Sequence, residues 1–172
     1  RINPTTTNDQ TNPAITALAD GGYVATWTSS EQDGSGLGIY AQRYNPNGSL
    51  VGGEMCVNTT TAGNQLNSAI TALADGGYAV TWMVLGQIGF NYDIFAQRYN
   101  ANGGLVGGET RINTTTANNQ FSPAITALAD GGYVVTWMSL NQDGYGWGIY
   151  AQRYNNLGGT VGGETLVNST AI

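Results

Sequence analysis

Short runs of β-branched and aromatic residues alternate along this chain with tight clusters of Gly, Asp and Asn. No apolar stripe of period 3.6 runs long enough for a helix, and 26 glycines in 172 residues weigh further against one. Residues 124–128 (AITAL) and 133–138 (YVVTWM) flank Ala129-Asp130-Gly131-Gly132, a turn supplied with the glycine that positive φ requires, so the pair predicts a β-hairpin. A glycine-rich loop at 142–148 (QDGYGWG) leads to a third strand, 149–155 (IYAQRYN). A second turn from Asn156 to Gly159 leads to a fourth, 160–168 (TVGGETLVN), and Asn/Thr tracts such as 113–119 read as linkers. Val134, Val135 and Trp137 make the second strand apolar on both faces, which predicts a sheet sandwiched between neighbours.

This pattern occurs three times. Ile15-Thr16-Ala17 recurs at Ile70-Thr71-Ala72 and Ile125-Thr126-Ala127, and Trp27 recurs as Trp82 and Trp137, giving a period of 82 − 27 = 55 residues. The chain therefore reads as a single repeat domain, 1–172, with repeat one at 1–55, repeat two at 56–110, repeat three at 111–165 and a terminal strand end at 166–172. The expected fold is all-β: three tandem four-stranded repeats arranged as β-propeller-like blades, with a β-trefoil or β-prism of pseudo-threefold symmetry as the alternative.

The unit resembles the blade of TolB-like β-propellers through Pro123, Asp130-Gly131, Tyr133 to Trp137, Asp143-Gly144 and Ile149-Tyr150. Those family repeats are shorter, so the resemblance implies topology and not activity. The string DGGYVVTW…QDGxGxGIYAQRYN is also similar to tandem blade-like repeats of large secreted or surface proteins of bacteria. That resemblance implies an exported, adhesin-like context and carries over no catalytic residues.

Three blades do not close a propeller ring, which takes about four to eight. Arg1-Ile2-Asn3 aligns with Leu166-Val167-Asn168, since 168 − 3 = 165 is three periods of 55, so both ends carry the same fourth-strand segment. The carboxyl-terminal copy retains Gly162-Gly163-Glu164 and is expected to fill the slot. The amino-terminal copy is then expected to pair with another chain or to continue from an upstream copy. Self-association follows as an expectation, as a ring, a strand-sharing fibre or part of a longer array. A trefoil would need no partner.

Composition narrows the chemistry. Five arginines are the only basic residues, the net charge is −6 and the pI about 4.1, so no basic patch is available to nucleic acid. No apolar run reaches the roughly 18 residues of a membrane-spanning helix. Cys56 is the only cysteine, which excludes an intrachain disulfide and reads as an inert thiol. Without His or Lys, a Ser-His-Asp triad, a Cys-His pair and a Schiff base are impossible. A carboxylate pair stays formally open, but the acids recur threefold, and the chain reads as a non-enzyme.

The strictly repeated charges are Asp20, Asp75 and Asp130 in the hairpin turn, Arg43, Arg98 and Arg153 in strand three, and Glu54, Glu109 and Glu164 in strand four. Arg43 with Glu54 is expected to form an ion pair, either across neighbouring strands or between blades. The loop before strand three varies on a constant background: Leu37 becomes Tyr92 and Trp147, and Ser35 becomes Phe90 and Tyr145. Such aromatics are expected to stack on sugar rings, to pack against an adjoining subunit or to serve local packing. Asp33 and Asp143 in that loop are weak calcium candidates, one acid where about six to eight oxygens are wanted, so no cofactor is expected. Sequons fall at Asn47, Asn58, Asn113 and Asn168. The reading is an extracellular or cell-surface structural module that assembles through terminal strands and loop aromatics, with a lectin-like carbohydrate-binding adhesin as the alternative.

Overall fold

The computed structural model describes residues 2–86 and 91–169; Arg1 and the loop aromatic Phe90 lie outside the described residues. Every regular element described is a strand. The first sheet holds β1 (Gln10–Ala17), β2 (Tyr23–Ser30), β3 (Leu37–Tyr44) and β4 (Leu50–Cys56). The second holds β5 (Asn64–Ala72), β6 (Tyr78–Leu85), β7 (Tyr92–Tyr99) and β8 (Leu105–Arg111). The third holds β9 (Gln120–Ala127), β10 (Tyr133–Leu140), β11 (Trp147–Tyr154) and β12 (Thr160–Leu166). Each sheet is a four-stranded antiparallel meander in chain order, and no sheet borrows a strand from another repeat. Three separate stacked sheets are blades of a propeller, and the trefoil and prism alternatives fall away.

The hairpin turns form as their glycines dictate. Gly131, at φ 84°, donates to the Leu128 carbonyl at 3.0 Å, and Gly132 donates to the Asp130 carboxylate at 3.0 Å. A Cβ on Gly132 would stand 2.3 Å from the carbonyl oxygen of Tyr154, so that position tolerates no side chain.

Alternation along each strand sends side chains to the two neighbouring blades. Between the first and second sheets, Val24, Ile39 and Ala41 pack against Tyr78, Val80, Trp82 and Phe95. Between the second and third, Ala79, Met83, Ile94 and Ala96 pack against Tyr133, Val135, Trp137 and Tyr150. The central strand β6 is therefore buried along nearly its whole length, whereas β10 alternates between buried and half-buried because one face of its sheet is open. The innermost strands β1, β5 and β9 lie side by side, joined where Ala72 N–H donates to Thr16 Oγ1 at 3.1 Å and Ala127 N–H to Thr71 Oγ1 at 3.2 Å.

Two irregularities recur in every blade. Each innermost strand begins about four residues earlier than its apolar run, because a bulge sets Asn12, Asn67 and Ser122 in the left-handed region and lets the preceding residues rejoin the ladder. In each outermost strand a second bulge sets three residues against one. Ala41 pairs with Met55 and Arg43 with Val51, so Gln42 alone faces residues 52–54. Buried Gln42, Gln97 and Gln152 bridge that gap; Gln97 donates to the carbonyls of Arg98 at 2.9 Å and of Val106 and Gly107 at 3.3 Å.

The fourth strand of each blade ends before the segment that the amino terminus shares, since residues 57–58, 112–113 and 167–168 are not in strands. Residues 2–3 are not in a strand, and the Ile2 carbonyl accepts the hydroxyl of Tyr44 as the Val57 carbonyl accepts that of Tyr99 at 3.2 Å. Residues 2–9 occupy the position of an inter-blade linker.

Candidate functional site

The loops before β3 and β11 and the start of β7 gather with the linkers and the starts of β5 and β9 on one rim. Linker asparagines fasten the loops: Leu37 N–H donates to Asn64 Oδ1 and Tyr92 N–H to Asn119 Oδ1, both at 3.1 Å. At the seam between the second and third blades this brings three rings into a row. Tyr92 meets Phe121 at 4.9 Å between centroids, and Phe121 meets Trp147 at 5.3 Å. Trp147 is 43% exposed and Tyr145, beside it in the loop, 69%. The corresponding positions at the first seam are Leu37, Leu66 and Tyr92, so the aromatic row is specific to the second. Phe121 escaped the sequence reading because it lies upstream of the apolar run, on the far side of the bulge. Tyr92 and Leu37 are half-buried, so these loop residues serve local packing as well as the rim.

Asp33 and Asp143 hold the loop itself. Asp33 accepts from the amide of Ser35 at 3.0 Å and Asp143 from that of Tyr145 at 3.3 Å. Among the described residues no group of three or more acidic or thiol ligands gathers that could hold a metal ion. Copy two relocates the acid. Asp93, 1% exposed, accepts from Asn113 Nδ2 at 2.6 Å, whereas in copy one Asp33 accepts from the equivalent Asn58 Nδ2 at 3.4 Å. The glycine that aligns with Asp93 is Gly38, whose Cβ would stand 2.7 Å from the Asp33 carboxylate, so the two acids compete for one space and only one is present in each blade. Burial raises the Asp93 carboxyl above its ordinary value, against the lowering effect of Asn113 and Arg111. Burial likewise pushes the Cys56 thiol up to about 11, so it is un-ionised at neutral pH.

The repeated charges are wired differently from the expected Arg43–Glu54 pair. Arg43 pairs with Asp20 at 2.7 Å, Arg98 with Asp75 at 3.2 Å and Arg153 with Asp130. In β4 the residue opposite Arg43 is Val51, and Glu54 lies within the bulge that faces Gln42. The glutamates instead receive the incoming linker: Glu109 accepts from Thr59 N–H at 2.8 Å and Thr60 N–H at 3.2 Å, Glu164 from Thr114 N–H at 2.7 Å, and Glu54 from Thr5 N–H at 3.3 Å. Asp20 and Asp130 are held below the usual carboxylate range by the amides of Gly22 and Gly132 and by their arginines. Trp27, Trp82 and Trp137 are buried packing groups. The sequons at Asn58 and Asn113 are buried, and each Oδ1 accepts at 2.7 Å from Ile39 N–H or Ile94 N–H, so neither side chain is presented as a glycan acceptor. Around the innermost bulges, Asn12, Pro13, Asn67, Ser68, Ser122 and Pro123 line an open polar funnel of about 320 Å³.

The sequence matches no family model and no curated protein. Solved structures do match in fold. A Hadza microbial sialidase superposes with a TM-score of 0.68 at 11% identity, over 92% of this chain and 37% of its own. An endo-arabinase from Bacteroides thetaiotaomicron gives 0.59 at 19%, over 91% of this chain and 61% of its own. A fucose lectin from Kordia zhangzhouensis, in complex with methyl-fucoside, gives 0.51 at 10%, over 92% of this chain and 99% of its own. The chain thus spans between about a third and three fifths of the two hydrolases. At these identities what is shared is the propeller-type fold. The expectation of a non-enzyme is overturned here, because glycoside hydrolases carry this scaffold. The absence of His and Lys does not bar such chemistry, which runs on carboxylates, and this chain has eleven.

Proposed function

We propose that this chain is an extracellular carbohydrate-binding module whose ligand stacks on the Tyr92–Phe121–Trp147 rim. The row of three rings, half open to solvent at its Trp147 end, carries this reading. Flat apolar faces edged by loop amides and Asn or Asp oxygens suit a pyranose, whose C–H face lies on the ring while its hydroxyls find polar partners. The acids near this rim, Asp143 and Glu164, together with a net charge of −6, favour a neutral sugar over a sialic or uronic acid. Fold neighbours that include a lectin and glycoside hydrolases support the carbohydrate class. The assembly reading through a terminal strand gains less, because β12 pairs on one side alone, as β4 and β8 do.

A glycan array followed by titration of tryptophan fluorescence tests this. Covering half of the 43% of Trp147 that is exposed removes about 50 Å² of apolar surface from water, worth about 1.3 kcal/mol or roughly tenfold in affinity. Trp147→Ala should weaken neutral-sugar binding by about that factor while leaving the fold intact. No sugar bound by the parent, or equal binding by the variant, refutes the proposal.

A further inference from the structure

The two internal junctions use one set of contacts twice, and the chain carries both halves of a third set on its outer faces. Ile39 and Ile94 are 0% exposed beneath the next blade, whereas Ile149 at the same position of the third blade is 37% exposed. Val134 and Ala151 flank it as Val24 and Ala41 flank Ile39. At the other end, an apolar groove of about 480 Å³ runs over the outer face of the first blade, with exposed Ile15 on its wall, buried Ala25 and Trp27 at its floor and Ile2 and Asn3 of the amino-terminal segment along it. Ile15 is 60% exposed there, while its counterparts Ile70 and Ile125 are half-buried against the preceding blade.

We infer that a second copy of this chain covers these faces: the first blade of each copy seats on the third blade of the other, closing a ring of six blades by a twofold axis. This goes beyond sugar binding, although both readings involve Trp147. A heterologous contact made reciprocally satisfies both faces at once, and six blades lie within the range of closed propellers.

The polar groups agree in register. At the first junction Arg43 donates through Nη1 to the Ala101 carbonyl of the next blade; Arg153 is 49% exposed against 17% and 8% for Arg43 and Arg98, and its guanidinium pairs with Asp130. One period before Ala101 stands Pro46, whose carbonyl in the second copy would receive Arg153. By the same shift, Ala17 N–H of the second copy reaches Thr126 Oγ1, repeating the bonds from Ala72 to Thr16 and from Ala127 to Thr71. Trp147 N–H reaches the carboxylate of Asp9 in the second copy, where Leu37 and Tyr92 use Asn64 and Asn119.

One seat is claimed twice. Val57 donates to the Ile39 carbonyl and accepts from Tyr99, but at the new junction Val167 makes the first contact and Ile2 the second. Docking therefore displaces one of them, and deleting residues 1–3 should favour association.

Light scattering over a concentration series tests this. The parent should reach twice 18.0 kDa at high concentration, and the chain lacking residues 1–3 should do so at lower concentration. Ile149→Asp and Ile15→Asp should each be monomeric alone, because every contact needs one face of each kind. Mixed in equal amounts they should form a dimer at higher concentration than the parent needs, because one junction then has both faces intact while the other sets the two introduced aspartates together; misfolded chains could not complement in this way. A parent that stays monomeric, a ladder of growing sizes, or a mixture that stays monomeric overturns the inference.

Discussion

Ile39, Ile94 and Ile149 occupy one position in three nearly identical sheets, so truncating each to Ala measures what a neighbouring blade contributes. Ile94 is fully buried between blades, among Ala79, Met83 and Trp137. Removing its distal carbons forfeits their transfer free energy and leaves a cavity, at a cost of about 3 kcal/mol. Ile39 should cost about the same. Ile149 is 37% exposed, so roughly a third of the transfer energy is already forgone and solvent fills the space left behind. Its truncation should cost about 1 kcal/mol in a dilute monomer. Urea unfolding followed by tryptophan emission, at protein concentrations where scattering gives a monomer, reads the three values. A cost at Ile149 equal to that at Ile94 in the monomer would refute the view that adjoining blades, and not the sheet itself, bury this position. Raising the concentration until the chain is dimeric should bring Ile149 toward Ile94.

Glu109→Ala strips the partner from the amides of Thr59 and Thr60. It should cost about 1–2 kcal/mol and speed exchange of those two amide hydrogens, while the Ile94 amide, held by Asn113, stays protected. Asp93→Asn addresses pH. Burial raises the Asp93 carboxyl above 3.8, so the folded chain binds this proton more readily than the unfolded one, and stability from this group falls as pH rises through its folded value. Asp20 and Asp130, lowered by turn amides and arginines, act in the opposite sense and lose their contribution as pH falls. The variant should therefore be more stable than the parent at pH 7 and converge with it in acid, as read by melting temperature across pH 3 to 7; a variant less stable at pH 7 refutes this.

Much of this architecture was legible because the repeat states it three times. The 55-residue period, the Asp-Gly-Gly turns and a strand apolar on both faces required stacked sheets with shared cores, and β6 is such a strand. The bulges were less accessible. Asn12, Asn67 and Ser122 at positive φ look like loop residues, and nothing in their local pattern signals that Gln10, Gln65 and Gln120 rejoin the ladder beyond them. Phe121 and hence the aromatic row were lost for the same reason. The Arg43–Glu54 pairing failed because it was drawn from strand adjacency without a register: Val51 stands opposite Arg43, Asp20 takes the guanidinium, and Glu54, in the bulge facing Gln42, accepts from the linker. Asn58 and Asn113 read as sequons although their amides serve as fixed hydrogen-bond fixtures, a distinction that depends on burial alone.

The exchange of Asp33 for Asp93 explains how such a repeat can diversify a rim without disturbing its frame. In the first and second blades the shared requirement is an acceptor beside the linker asparagine, which in turn orders the amide of Ile39 or Ile94 at the start of the strand. A carboxylate from either of two backbone positions meets it. Once that acceptor is buried on the strand, as with Asp93, the loop residue that supplied it elsewhere is released from the duty. Loop positions that are not needed for the frame are free to carry Leu, Tyr or Trp, and the frame holds whichever is present in a fixed direction, since the amides of Leu37 and Tyr92 are both fastened to the following linker. The exposed side chains at Tyr145 and Trp147 can then change independently of the cores around Trp82 and Trp137, where a substitution disturbs two blades together.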